Sequence, residues 1–319
     1  MDYISVSAPA TIANVGPGFD VFGFALDSPV DIVHALKLEN QPGKVVIKEN
    51  NLNELPLDPN LNTAGIAAKF ILDKSHADFG VEFTIEKGMG IGTGLGSSAA
   101  SAAAGAKAVN YFLNGDQKEE EQKIITLEAI IRAEEVIDGG IHGDNAVPSY
   151  FGGFIVIPSS RNPILFSRFK LPDNLRVVLA TPPISILTKT AREIIPKTVS
   201  LEQNVRSTGY AGLVMAGVVQ NDLKLMGQGI IFDDIIEPKR ASLIPNFYRV
   251  KQAAMDAGAY GCSISGAGPT VFAISDADSD VRSIGKSMAE AFNMPDPVTI
   301  RIGLPNNEGA KLVSRRYEF

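Results

Sequence analysis

Residues 88–100 read Gly-Met-Gly-Ile-Gly-Thr-Gly-Leu-Gly-Ser-Ser-Ala-Ala, glycines at alternate positions followed by two serines and an alanine-rich segment. Alternate glycines leave backbone amides open to a close-lying ligand, because no β-carbon stands in the way. Where such a loop opens a helix, the free N–H groups and the positive end of the dipole add to it, and the sum is an anion site suited to a di- or triphosphate. Ser97 and Ser98 suit plain N-capping equally well. Two familiar phosphate loops are excluded by spacing. The third glycine of G-x-G-x-x-G would fall on Leu95 or Ser97, and the Gly-Lys-Ser/Thr ending of a Walker A loop is absent, with no lysine between Lys87 and Lys107. Without that lysine, phosphate charge must be met by amides, by side chains from elsewhere and by an oxygen-ligated metal, for which Mg²⁺ is the expected ion. Glu134 and Glu135 are candidate carboxylate ligands, with Ser98 supplying a hydroxyl; both glutamates serve equally as surface residues of a helix.

These residues need elements to hold them. Alternating apolar residues predict strands over 3–7, 30–38 (Val30, Ile32, Leu36, Leu38), 45–47 and 81–85, with a helix between the last two carried by Ile66, Ala67, Phe70 and Ile71. The glycine loop follows the strand ending near Glu86, and residues 97–113 read as a helix of mostly small side chains, which neighbouring backbone can approach closely at the centre of a domain. A charged run at 119–123 begins a second helix continuing to about Ile137; residues 138–150 read as a loop and 154–157 as a strand. Beyond Pro163 and Pro172 the pattern changes to a strand (175–180), helical segments (200–227 and 246–257), a strand pair (261–264 and 270–274), a helix (281–292) and a strand (298–302). That order is a split βαβ arrangement, an antiparallel sheet covered on one face. The expected division is 1–165 and 166–319.

The composition bounds the reading. At 319 residues, 45% hydrophobic and 20% charged, the chain is ordinary globular protein of about two domains. A net charge of −7 with scattered Lys and Arg gives no basic footprint for nucleic acid or an anionic membrane. The longest apolar stretch, near 211–219, is too short to span a bilayer, and the single cysteine, Cys262, forms no internal disulfide and suits a reduced compartment. A cytoplasmic location is expected; the oligomeric state, a homodimer included, stays open.

The glycine loop resembles that of the GHMP kinases, a family named for galactokinase, homoserine kinase, mevalonate kinase and phosphomevalonate kinase. Their central motif is matched by Gly94-Leu95-Gly96-Ser97-Ser98-Ala99, with Gly90 where the family has proline, a change that removes no amide donor. Two further family motifs stand in order at Ala8-Pro9-Ala10-Thr11-Ile12-Ala13-Asn14 and Ser265-Gly266-Ala267-Gly268-Pro269-Thr270. The resemblance implies an α+β fold, an N-terminal domain like ribosomal protein S5 domain 2 and a ferredoxin-like C-terminal domain. It implies ATP held by Gly90, Ile91, Gly92, Thr93, Gly94, Leu95, Gly96, Ser97, Ser98, Ala99 and Ala100, with Lys87 among the nucleotide contacts and Asn62 at the adenine. It also implies Mg²⁺ on Ser98 and Glu134.

Other stretches resemble the homoserine kinase branch in particular: Asn14-Val-Gly-Pro-Gly-Phe-Asp20, His142-Gly-Asp-Asn145 with Pro148 and Gly152-Gly153, Thr188 with Arg192, and Glu237-Pro-Lys-Arg240. Singly, each has a plain alternative, a bare turn for Gly16-Pro17-Gly18 or an exposed helix charge for either arginine. Together they form a kit for an amino acid such as L-homoserine: Arg192 and Arg240 for the carboxylate, Asp20 for the ammonium, Asn14 for the hydroxyl, with His142, Thr188 and Gly266 beside them. Where mevalonate kinase carries a catalytic aspartate, this chain has Asn145, an amide that is no base; Asp144 is one residue out of register. The resemblance therefore implies transfer by positioning and electrostatics, with Asn145, Ser98 and Glu134 in the catalytic group. Kinases of the same family for mevalonate or a sugar, and a non-catalytic metabolite sensor, are the alternatives.

Overall fold

The computed structural model describes residues 3–52, 54–115, 119–140, 143–160 and 163–314. The described residues form two sheets. The first is built on β1 (Tyr3–Ala13) and β2 (Phe22–Leu38), both longer than their local patterns predict. After its first residue β1 is buried throughout, as is β2 from Phe22 to Leu26, so the chain there shows no clean alternation to read. In the second half of β2 the fully buried face is Asp31, Val33 and Ala35, the row opposite the residues that mark the strand. β3 (Val45–Asn50) runs parallel to β4 (Gly80–Glu86), and α1 (Thr63–Lys74) is the crossover a parallel pair requires.

α1 and α2 (Ser97–Asn114) pack on this sheet, and α3 (Glu119–Asp138) packs on those two helices. As its small residues predict, α2 lies in the centre, with Ala99, Ala100, Ala102, Ala103, Ala104, Ala106 and Ala108 all at 0% exposure. A Cβ on Gly105 would come within 2.9 Å of the Ala64 carbonyl oxygen, so α1 packs against backbone there. The expected loop over 138–150 is corrected in its last part, where α4 (Ala146–Phe151) forms. It is six residues long, with Pro148 in its first turn and Gly152 at φ 70° ending it, too short to show a helical period. β5 (Phe154–Ser159) joins β2, and β6 (Leu165–Phe169) joins β5. The expected 165/166 division therefore falls within a strand of the first sheet, because Pro163 and Pro172 flank a hairpin arm rather than a linker.

The second half contains β7 (Leu175–Thr181), α5 (Thr188–Glu193), α6 (Leu201–Gln220), α7 (Leu223–Ile230), α8 (Glu237–Arg240) and α9 (Phe247–Asp256). It continues with β8 (Gly261–Ile264), β9 (Val271–Asp276), α10 (Val281–Phe292) and β10 (Thr299–Gly303). α6 and α7 are parted by Asn221 in the left-handed region and by Asp222, whose side chain accepts the Leu225 N–H. The sheet order β10-β7-β9-β8, antiparallel throughout, is the split βαβ arrangement the sequence predicts. Val178, Phe247, Val250, Ile284 and Phe292 fill the layer under α9 and α10. On the opposite face Leu179, Phe272 and Ile274 join the core of the first half, where Phe272 meets Phe24 edge-on. β11 (Lys311–Ser314) then returns to pair with β1 at the edge of the first sheet. Among the described residues no helix is long and apolar enough to cross a membrane.

Candidate active site

The glycine loop lies between β4 and α2, and its glycines differ in what they must avoid. Gly92, Gly94 and Gly96 have φ of 67°, 78° and 69°, where side chains are strained. A Cβ on Gly94 would lie 2.5 Å from the Ser265 carbonyl oxygen and 2.7 Å from that of Gly268; one on Gly96 would meet Thr11 Oγ1 at 2.1 Å and Asn145 Oδ1 at 2.9 Å. These glycines therefore let the loop dock against the protein's other motifs. Gly90 is exposed, and its Cβ would meet only the Thr93 methyl at 3.2 Å, so this glycine, unlike Gly94 and Gly96, is not held against another part of the chain.

The loop is clasped from the second half of the chain. Ser265 donates to the Gly94 carbonyl (2.6 Å), Ser185 to that of Ile91 (3.0 Å), and the Ile186 amide to that of Gly92 (3.0 Å). From the first half, Thr11 donates its amide to the Leu95 carbonyl (3.0 Å) and its hydroxyl to Asn145 Oδ1 (2.8 Å). At the start of α2, Gly96 is the N-cap residue and no side chain caps the helix. The capping alternative for the serines is thus corrected: Ser97 donates to the Met89 carbonyl (3.3 Å), and Ser98 to Glu134 Oε1 (2.5 Å). Glu134 is buried while Glu135 is exposed, so of the two glutamates only the first stands at the loop.

One cleft of about 440 Å³ runs along the loop and is lined by Ile91, Gly92, Thr93, Gly94, Gly96, Ser97 and Ser98, with Lys87, Asn62 and Glu134. It also takes in Asn14, Asp20, Asp144, Asn145, Thr188, Arg192, Arg240 and Gly266, and an apolar group formed by Leu55, Pro56, Leu61 and Ile137. Four residues expected at the nucleotide do not line it. Gly90 faces solvent, and Leu95, Ala99 and Ala100 have buried side chains. His142 lies outside the described residues.

Several side chains in the cleft already have partners. Asp20, at φ 57°, forms a bidentate pair with Arg192 (2.9 and 3.0 Å). Asn14 accepts the Asp20 amide (3.1 Å) and donates to the Gly266 carbonyl (3.0 Å), which also takes a hydrogen bond from Arg240 (2.7 Å). The exposed-charge alternative is therefore excluded for Arg240, which is 3% exposed, and burial holds its guanidinium below the usual arginine range. Both guanidiniums lie over the ring of Phe19, 5.5 Å for Arg192 and 5.1 Å for Arg240, a site where the ring face attracts two cations that repel each other. Beside them Asp144 is buried and its carboxyl is pushed up to about 7, first by burial and then by the charge of Asp20, with Arg240 and Arg192 opposing.

Two expected nucleotide contacts have other work. Asn62 caps α1, accepting the Ala64 amide (3.1 Å) and donating to the Pro56 carbonyl (3.2 Å), so the residue that lines the cleft also sets the start of that helix. Lys87 donates to Asp31, to the Ser97 carbonyl (2.7 Å) and to Ser101 Oγ (2.7 Å), which uses every hydrogen of its ammonium within the protein. Asp31, Thr11 and Phe19 went unremarked as site residues in the sequence reading. A signal existed for Asp31, because period two sets it on one face with the apolar Val33 and Ala35, and a carboxylate at a buried position demands a partner. For Phe19 there was none, since a phenylalanine in a turn names no partner.

Comparison with known proteins agrees with this geometry. Residues 62–153 match the family "GHMP kinases N terminal domain", and residues 214–293 match "GHMP kinases C terminal". The homoserine kinase of Chlorobium phaeobacteroides (strain BS1) is 36% identical over 303 residues, covering 92% of this chain and 93% of its own. That of Pyrococcus abyssi is 36% identical over 294 residues, covering 90% and 92%. The crystal structure of homoserine kinase from Cytophaga hutchinsonii superimposes with a TM-score of 0.91 at 37% identity over 98% of each chain. L. major mevalonate kinase in complex with R-mevalonate, at 16% identity and a TM-score of 0.68 over 94% and 95%, shares the fold. The chain therefore belongs to the GHMP kinases and, within them, to the homoserine kinase family.

Proposed function

We propose that this chain transfers the γ-phosphoryl group of ATP to the side-chain hydroxyl of L-homoserine, giving ADP and O-phospho-L-homoserine. The observation that carries the reading is that a single cleft joins a glycine loop opening a buried helix to a cluster of two arginines and two aspartates. The first feature suits a polyphosphate and the second a zwitterion. In the free protein Arg192 and Asp20 neutralise each other. A bound amino acid offers each a replacement, its carboxylate for the arginines and its ammonium for the aspartates, so the charges stay paired as substrate enters. Mevalonate has no ammonium to make that exchange.

At the loop, amides from Gly92 to Ser98 and the start of α2 receive the phosphates, and the apolar group at Leu55, Pro56, Leu61 and Ile137 offers the adenine a dry surface. Ser98 and Glu134, two oxygen ligands hydrogen-bonded to each other on the lining of the cleft, would hold a hard divalent ion, and Mg²⁺ there would supply neutralising charge for the transferred group. Asn145 accepts no proton. The substrate oxygen thus forms its bond to γ-phosphorus as the bond to the bridging oxygen of ADP breaks, and its proton leaves late, toward the phosphoryl oxygens. Thr11 donates to the side-chain oxygen of Asn145, which fixes the orientation of that amide at the lining of the cleft.

The test is a coupled ADP-release assay with homoserine, mevalonate and galactose. Homoserine alone is expected to support turnover. Faster turnover with mevalonate or galactose would overturn the substrate, and ATP binding with no turnover on any of them would leave a nucleotide-binding sensor.

A further inference from the structure

Beneath the glycine loop lies a buried charge cluster that the reaction as described does not touch. The side chains of Lys87 and Asp31 are 2% and 0% exposed. Asp31, on β2, also accepts the Gly88 amide (3.0 Å) and the Ser101 hydroxyl (3.1 Å). From outside, Asn51 holds the Lys87 backbone at both of its polar groups, accepting its N–H (2.7 Å) and donating to its carbonyl (3.1 Å). Gly88 begins the loop and Ser97 ends it. Both ends, through the Gly88 amide and the Ser97 carbonyl, thus converge on one carboxylate and one ammonium.

We propose that Lys87 is a positioning residue for phosphoryl transfer, its pair with Asp31 clipping the two ends of the glycine loop together so that the loop amides meet the triphosphate in one geometry. The inference rests on the reading of the loop as the triphosphate cradle. A run of alternate glycines is conformationally soft, and several amides bind one anion well only if they converge beforehand. A buried ion pair supplies the missing stiffness. Such a pair adds little net stability over apolar residues of similar volume, so its value here is positional. Burial pushes the Asp31 carboxyl up and the Lys87 ammonium down, and their mutual attraction opposes both shifts. With its three hydrogens used inside the protein, the lysine acts on the phosphates through the loop.

The whole protein is titrated with ATP and with adenosine, and its melting temperature and KM for homoserine are measured alongside. Lys87→Met alone leaves a buried carboxylate unpaired and is expected not to fold, so the variants are the neutral pair Asp31→Asn/Lys87→Met and, separately, Ser101→Ala. In the folded pair variant ATP affinity should fall by about tenfold or more, as loss of a preset geometry does, while adenosine affinity and homoserine KM stay within about twofold. Ser101→Ala, which removes no charge, should lower ATP affinity by about threefold with adenosine unchanged. ATP affinity unchanged in Ser101→Ala, or ATP and adenosine weakened alike in either variant, overturns the clip. A parent protein that fails to prefer ATP over adenosine overturns the cradle reading itself and the clip with it.

Discussion

Asp144 is a carboxylate whose neighbours disagree about its charge. Burial and Asp20 lift it from the ordinary 3.8 to about 7, while Arg240 and Arg192 hold it down. Because the folded value lies above the unfolded one, the folded chain binds this proton more tightly than the unfolded chain does. The stability contributed by the protonated form is therefore fully present below about pH 4 and is lost as pH rises through about 7. Asp144→Asn is expected to gain stability over the parent progressively between those limits and by a constant amount above them, as read by urea denaturation across a pH series. In the same series, kcat/KM for homoserine should bend near pH 7 in the parent and lose that bend in the variant; a stability difference that does not vary with pH would show that Asp144 is ionised throughout.

The glycine loop as an element is defined as much by what it leans on as by what it binds. Gly94 and Gly90 look alike in sequence, yet a Cβ at the first strikes two carbonyl oxygens of the 265–268 turn and a Cβ at the second meets one methyl group. Gly94→Ala is expected to cost about 1 kcal/mol for its positive φ and a further 1–3 kcal/mol for overpacking. It should lower the melting temperature by several degrees and reduce ATP turnover with it. Gly90→Ala should leave both nearly unchanged. Equal melting temperatures for the two variants would mean that the 265–268 turn moves aside at little cost.

Across the whole molecule, the cleft is assembled from both halves of the chain. Asn14 and Arg240 meet at the Gly266 carbonyl, Ser265 holds Gly94, and Asp20 on the first half pairs with Arg192 on the second. Substrate affinity is therefore also a measure of how the halves sit together. Arg192→Leu should raise the KM for homoserine by about one to two decades, the loss of one charge-assisted pair, with ATP affinity nearly intact. Asp20→Asn should act similarly. Since the two side chains share one ion pair, the double variant should fall short of the sum of the singles. Unchanged KM in both single variants would show that these charges do not face the substrate.

The sequence by itself determined the glycine loop between a strand and a helix, the alanine-rich helix behind it and the split βαβ order of the second half. Each is written in neighbouring residues: glycine spacing sets backbone freedom, small side chains permit close packing, and periodicity marks helix or strand. What it could not determine were the partners. Asp31 and Lys87 stand 56 positions apart, and Thr11 and Asn145 stand 134 apart. The return of β11 to β1 joins the two termini of the described chain, and the division drawn at two prolines missed the hairpin arm between them. Local pattern fixes which face of an element is apolar, but which groups meet across that face depends on how whole elements stack. Only the folded chain could therefore decide that Lys87 braces the loop from beneath, that Asn62 caps a helix, that Ser98 reaches Glu134 in place of capping, and that Arg192 and Asp20 wait as a pair.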